Sequence, residues 1–394
     1  MDKKRSKITY LLIGGTLCLA AWAASAMPRL HTTPKVLTPP DVQIDSDPTP
    51  PKVVQVPKAR PRIEVVFALD TTGSMTGLID GAKRKIWSIA NFIAQGNPKP
   101  ELRIGLVAYR DKGDEYVTRF YDLSDDLDKV FERLSSFEAA GGGDTPEHVS
   151  KALSDAVNRA TWSSDQGTLK QIYLVGDAPP HTDYNDGYDY HQIARKAHEL
   201  GIHINTIRCG GDRQTQLVWN EISNVASGEY ASIDQTGGVI AIATPYDDKL
   251  ADLNAKLVNT AIGYGRWRGE VSAKSAAAIA APKGMAADRA GFMGASGGAV
   301  GGDGDLVRDI ASGKASIDSL KPADMPAEMA AMPAPAQKAY VAQKEAERKK
   351  ISAEINTINA HRNGYLKDKN KADAFDARVE STIKAQAASI GVAY

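Results

Sequence analysis

The 394-residue chain has only two cysteines, Cys18 and Cys209. Cys18 lies in the N-terminal segment, where Lys3, Lys4, Arg5 and Lys7 precede an uncharged stretch from Ile8 to Ala26 that closes with Ala24-Ser25-Ala26. A basic start, an apolar middle and an Ala-x-Ala end are the marks of a cleaved export signal. Cleavage leaves Cys209 alone, so a disulfide within the mature chain is excluded, and stability has to come from the core and from bound ions. The rival reading of this segment is an uncleaved membrane anchor, but its Gly, Ala, Ser and Thr content makes a poor span. A lipoprotein reading at Cys18 fails because Leu17 precedes it where a small residue is needed.

An excess of either charge is also missing. Lys and Arg total 48, as do Asp and Glu, for a formal net charge of zero. No overall field favours nucleic acid or an acidic membrane. The chain lacks a Gly-x-Ser-x-Gly elbow, and its one glycine-rich loop, Gly141-Gly142-Gly143, lacks the terminal Lys-Ser/Thr of a nucleotide-binding loop. No second metal cluster is evident, and Asp183-x-Asn185-x-Gly187 misses the register of a calcium-binding EF-hand loop. These absences count against an enzyme.

Present instead are apolar runs that stop at carboxylates. Ile63-Glu-Val-Val-Phe-Ala-Leu-Asp70 is followed by Thr72 and Ser74, which places one acidic and two hydroxyl oxygens after a buried strand. Ile172-Tyr-Leu-Val-Gly-Asp177 is a second such run. Between them, Gly141-Gly-Gly-Asp144-Thr145-Pro146-Glu147 reads as a loop opening a helix, with Pro146 suited to the first helical turn. Hard divalent cations prefer a shell made wholly of oxygen. The bland alternative, Asp70 as a cap of the following turn, applies to that motif taken alone.

Further runs at Leu102–Arg110 and Gly201–Cys209 alternate with amphipathic segments. The pattern predicts helices beginning near Leu78 and over 125–137, 146–162, 190–200 and 214–226. It also predicts an edge strand over 117–123 and a last strand over 229–233. The fold class expected is α/β, a doubly wound, mainly parallel sheet flanked by helices, with a C-terminal helical hairpin. In such sheets ligands bind beyond the carboxyl ends of the strands, where Asp70 and Asp177 lie. The chain divides into a signal or anchor at 1–26, a proline-rich spacer at 27–61 and a head at 62–262. An Ala/Gly/Pro-rich linker at 263–335 and a helical region at 336–394 follow. In that last region Ala336–Leu366 and Lys371–Ser389 are the two helix candidates, expected to pack on the head or on a partner.

Over residues 62–262 the chain resembles the von Willebrand factor A family, whose metal-ion-dependent adhesion site uses the same residue types in the same order. The resemblance implies that the strands bearing Asp70 and Asp177 are neighbours. It further implies that Asp70, Thr72, Ser74, Thr145 and Asp177 form the metal site, with Thr72 standing where many members have Ser. None of the five is His or Cys, so Mg²⁺ or Mn²⁺ is expected, with Ca²⁺ as a further candidate. The function implied is non-enzymatic: divalent-metal-dependent binding of a protein whose Asp or Glu carboxylate completes the shell. The alternatives are a structural envelope protein with an unused site, and a metal-dependent hydrolase using Asp177 and His181. Alternating Tyr and Asp residues from Asp183 to His191 are either a recognition loop or an ordinary polar one. The ending after Phe375 resembles the tail of a bacterial subset of the family. Together with the signal it implies an exported protein, periplasmic or extracellular, touching the membrane only through an uncleaved N-terminus.

Overall fold

The computed structural model describes residues 60–165, 167–233, 243–369 and 374–394. The signal or anchor segment and nearly all of the proline-rich spacer lie outside them. Among the described residues, no helix is long and apolar enough to cross a membrane.

Six strands form one sheet. They are β1 (Arg62–Asp70), β2 (Glu101–Tyr109), β3 (Thr118–Ser124), β4 (Thr168–Gly176), β5 (Ile202–Cys209) and β6 (Tyr230–Ile233), in the order β3-β2-β1-β4-β5-β6. All neighbours are parallel except β3, which returns antiparallel to β2 at the edge. The expected parallel α/β architecture is what forms. Strand order reverses between β1 and β4, and β1 pairs with β4 up to Leu69 opposite Val175. The chain therefore delivers Asp70 and Asp177 side by side at the switch point, where a crevice opens in such sheets.

The continuous hydrophobicity of β1 serves two faces. Val65, Phe67 and Leu69 point into one core layer. There they meet α1 (Ile79–Ile93) and α2 (Leu127–Ser135). Val66 and Ala68 point into the other layer, against α3 (Val149–Asn158), α4 (Tyr190–Glu199) and α5 (Arg213–Val225). Burial on both faces is why the strand carries no polar alternation. Helix α3 begins three residues later than the sequence suggests. The Thr145–Pro146 peptide is cis, and Pro146 belongs to the loop rather than to a first helical turn.

The segment after the head departs most from expectation. Residues 263–335 are not a structureless linker. They contain α7 (Arg268–Ala280), α8 (Lys283–Ser296) and α9 (Leu306–Ala311), preceded by α6 (Asp247–Val258). The Ala and Gly content that suggests a flexible linker is a close-packing surface. A Cβ on Gly294 would approach the Ile355 side chain to 2.6 Å, and one on Gly291 would meet Asn359 at 2.8 Å. Both partners lie on α10 (Ala334–Lys369). Ala287, Ala290, Phe292 and Met293 of α8 join the same core layer as α1. The two C-terminal helices are present, and both pack on the body. Helix α10 lies on α6, α8 and α9, and α11 (Ala374–Ala388) lies on β6 and α1. Trp87 and Trp219 are buried in the two layers, and Cys209 is a buried free thiol.

Candidate metal-binding site

Strand β1 holds two buried acids, and their surroundings differ. Glu64, near its start, is saturated: Arg103 donates at 2.7 Å, and Ser163 donates from its backbone N–H at 2.8 Å and from its hydroxyl at 2.6 Å. Asp70, at its end, is fully buried yet faces no basic side chain. Its Oδ1 accepts from the Thr72 N–H at 2.9 Å and the Thr72 hydroxyl at 2.6 Å. Its Oδ2 has no hydrogen-bond partner among the described residues. A buried carboxylate oxygen left unpaired is costly, and here a second acid stands beside it.

Thr72 and Ser74 continue the chain of oxygens. The two hydroxyls are 3.0 Å apart, and Ser74 donates to Asp177 Oδ1 at 2.9 Å. Thr72 precedes the short 3₁₀ turn Gly73–Met75, which aims both hydroxyls back toward the strand ends. Asp177 is further held by its own carbonyl, which accepts from the Thr215 hydroxyl at 3.2 Å. Burial, and then repulsion from Asp177, pushes the Asp70 carboxyl up to about 7, and burial also raises Asp177. Two acids and two hydroxyls meet around one point, and among the described residues no basic side chain pairs with the acids.

Thr145 completes the sequence-predicted set but stands apart. It is exposed on the glycine loop and makes no hydrogen bond to the other four. The loop itself abuts the cluster. Gly141 O accepts from Gly73 N–H at 3.0 Å, and the Thr71 carbonyl accepts from Ala140 N–H at 3.0 Å. Gly141 and Gly142 have φ of +74° and +75°, the left-handed region that favours glycine. Asp114 clasps the loop by accepting the Gly142 N–H at 3.0 Å.

Sequence reasoning overlooked Glu147. The residue is 2% exposed, its Oε2 has no partner among the described residues, and burial together with repulsion from Asp70, Asp111, Asp114 and Asp177 pushes it up to about 9. A loop Glu beside a Pro gives no sign of burial. What buries it is pairing with the segment after β4, where Glu147 N–H donates to the Pro179 carbonyl and His181 N–H to the Glu147 carbonyl, both at 3.0 Å.

The family model described as "von Willebrand factor A domain" matches residues 64–245. Those residues are a von Willebrand factor A domain. Two curated relatives, the von Willebrand factor A domain-containing protein 7 of rat and of mouse, are each 33% identical over 120 residues. The alignments cover 30% of this chain and span 12% of the relatives' length. Among solved structures, the conserved hypothetical protein BatB from Bacteroides thetaiotaomicron is similar at 17% identity and a TM-score of 0.34, over 44% of this chain and 90% of that one. The SpRpn10 von Willebrand A domain is similar at 14% identity and a TM-score of 0.36, over 45% and 90%. Domains of this family commonly mediate protein interactions.

Gly176 keeps the domain's switch point open. A Cβ there would fall 2.3 Å from the Tyr109 hydroxyl and 2.9 Å from Asp70 Oδ2. Gly176→Ala is expected to displace Asp70 and cost about 1–3 kcal/mol through overpacking. A lowered urea midpoint with an unchanged m-value would report it, and an unchanged midpoint would show that the crevice yields freely.

Proposed function

We propose that the von Willebrand A domain binds a partner protein through a divalent cation held by Asp70, Thr72, Ser74 and Asp177, with Thr145 joining from the glycine loop. The observation that carries this is the orphaned Oδ2 of fully buried Asp70 beside Asp177, in a cluster with no basic side chain. Glu64 on the same strand acquires an Arg and a Ser, so this chain can neutralise a buried acid where it needs to. All four donors are oxygens, which fits Mg²⁺ or Mn²⁺, with Ca²⁺ as a further candidate. A cation held by two carboxylates and neutral hydroxyls keeps an electrophilic position for an Asp or Glu carboxylate of the partner. The strand ends set the acids, the 3₁₀ turn sets the hydroxyls, and Asp114 holds the glycine loop against them.

The role proposed is adhesion or scaffolding without catalysis, in an exported protein of the periplasm or extracellular space. That location rests on residues 1–26, which lie outside the described residues.

The test is calorimetric titration of Mg²⁺, Mn²⁺ and Ca²⁺ into the full chain, because α8, α10 and α11 share the head's core. Saturable one-site binding of Mg²⁺ is expected for the wild type. It should be lost in Asp70→Ala and weakened at least about tenfold in Thr145→Ala. A partner screen with and without chelator follows. Absence of binding by a folded wild type, joined to partner capture indifferent to chelator, would refute the metal-dependent reading.

A further inference from the structure

A second group of ligand-type side chains lies at the same carboxyl end of the sheet, built from residues the first site does not use. Asp111 follows β2, Asp144 sits on the glycine loop, and His181 follows β4. One ligand atom from each lies within 4.8 Å of the other two. We infer that Asp111, Asp144 and His181 form a separate site for a divalent cation that accepts nitrogen as well as oxygen, with Zn²⁺ as the best match.

The cluster is prepared for a metal in ways an ordinary acidic patch is not. His181 is 8% exposed and Asp111 4% exposed. Yet His181 Nε2 and Asp111 Oδ1 are both buried atoms without a hydrogen-bond partner among the described residues. In each residue the other polar atom is engaged. His181 Nδ1 lies 2.7 Å from Asp183 Oδ1, so Nδ1 carries the proton and the Nε2 lone pair is left facing the cluster. A carboxylate behind a histidine is the arrangement that orients metal-ligating imidazoles. Tyr184 donates to Asp111 Oδ2 at 2.6 Å, which leaves Oδ1 free. The Tyr184 ring also stacks on His181 at 4.0 Å between centroids and an interplanar angle of 13°, fixing the imidazole plane. Exposed Asp144 supplies the third donor from the solvent side, where an ion would enter.

Two carboxylates and a neutral imidazole carry a charge of −2, which a divalent cation cancels. Nitrogen in the set selects first-row transition ions over Mg²⁺, which favours an all-oxygen octahedron. The competing arrangement is a doubly protonated His181 paired with Asp111, whose Oδ2 lies 3.4 Å from Nε2.

The inference does not depend on the proposed function, so its test uses the full chain in an Asp70→Ala background, where the first site is disabled. Zn²⁺ alone is titrated against a chromophoric chelator, and Co²⁺ is followed by its visible absorption. One Zn²⁺ per chain is expected, undisturbed by millimolar Mg²⁺. Asp144→Asn, on an exposed residue that cannot unfold the core, should weaken binding at least about tenfold. Asp183→Asn should weaken it by roughly 10- to 100-fold, as loss of a carboxylate behind a ligating histidine does. Zn²⁺ binding that ignores Asp144→Asn and His181→Gln would overturn the assignment. So would failure to bind Zn²⁺, with both His181 nitrogens protonated by ¹⁵N NMR. Binding seen only when Asp70 is intact would transfer the ion to the first site.

Discussion

Asp70→Asn is expected to make the cation-free protein more stable while abolishing its response to Mg²⁺. The amide keeps an oxygen to accept from Thr72, whose N–H and hydroxyl contact Oδ1 at 2.9 and 2.6 Å. It removes a buried charge that faces Asp177. The direction with pH follows from linkage. The folded carboxyl is raised from 3.8 to about 7, so the folded state binds more protons than the unfolded one between those values. Without a cation, wild-type stability therefore falls as pH rises from about 4 to 7 and levels off above. The difference between wild type and Asp70→Asn reports Asp70 together with its mutual repulsion with Asp177 and Glu147, which are raised as well. The difference at pH 8 in chelator should be on the order of 2–4 kcal/mol in favour of Asn. Adding Mg²⁺ should raise the wild-type melting temperature, more at pH 8 than at pH 5, and leave Asp70→Asn unmoved. If Asn proves destabilising in chelator at pH 8, the strand end does not store repulsion for a cation to relieve.

The second large effect is expected far along the sequence, at Arg289. This guanidinium is wholly buried. It donates to both oxygens of Asp128 at 2.7 and 2.8 Å, to Asn254 at 2.6 Å and to the Ala299 carbonyl at 2.8 Å. Asp128 lies on α2, Asn254 on α6 and Arg289 on α8, so one side chain joins the von Willebrand A domain to the helices that follow it. Arg289→Met should cost about 3–5 kcal/mol, because Asp128 is left buried and charged without its partner. Adding Asp128→Leu should restore about half or more of that loss, since a matched apolar pair removes the unpaired charge. Urea midpoints of the two variants decide the matter. A loss below about 1 kcal/mol for Arg289→Met would mean that these helices are dispensable to the head.

Other buried pairs repeat the pattern. Arg362 reaches Asp247 and Asp288 at 2.7 Å each, and Arg348 reaches Asp305 at 2.7 Å. Lys274 pairs with Asp126. The region after residue 263 is thus fastened by buried charge as well as by small-residue packing. A composition of Ala, Gly and scattered charge gives no hint of this, because the partners lie more than a hundred residues away in several cases.

The strands of the sheet, and the meeting of Asp70, Thr72 and Ser74 at the end of one of them, were legible in the amino-acid order. Strands buried on both faces must be continuously apolar, so each interruption by Asp marks a strand end. Hydroxyls two and four residues beyond Asp70 reach the same point whatever the rest of the fold does. That information is local, and it placed Asp70, Thr72 and Ser74 together, with Asp177 joined through strand order. Tertiary structure alone decided what depends on distant segments meeting. Pairing between the Glu147 and Pro180 segments buries one loop acid and leaves its neighbour Asp144 in solvent. The same pairing brings His181 to Asp111, so a second ligand cluster exists where no local spacing announces one. The apparent linker becomes part of the core for a related reason: glycine and alanine read as flexible only until another helix lies against them.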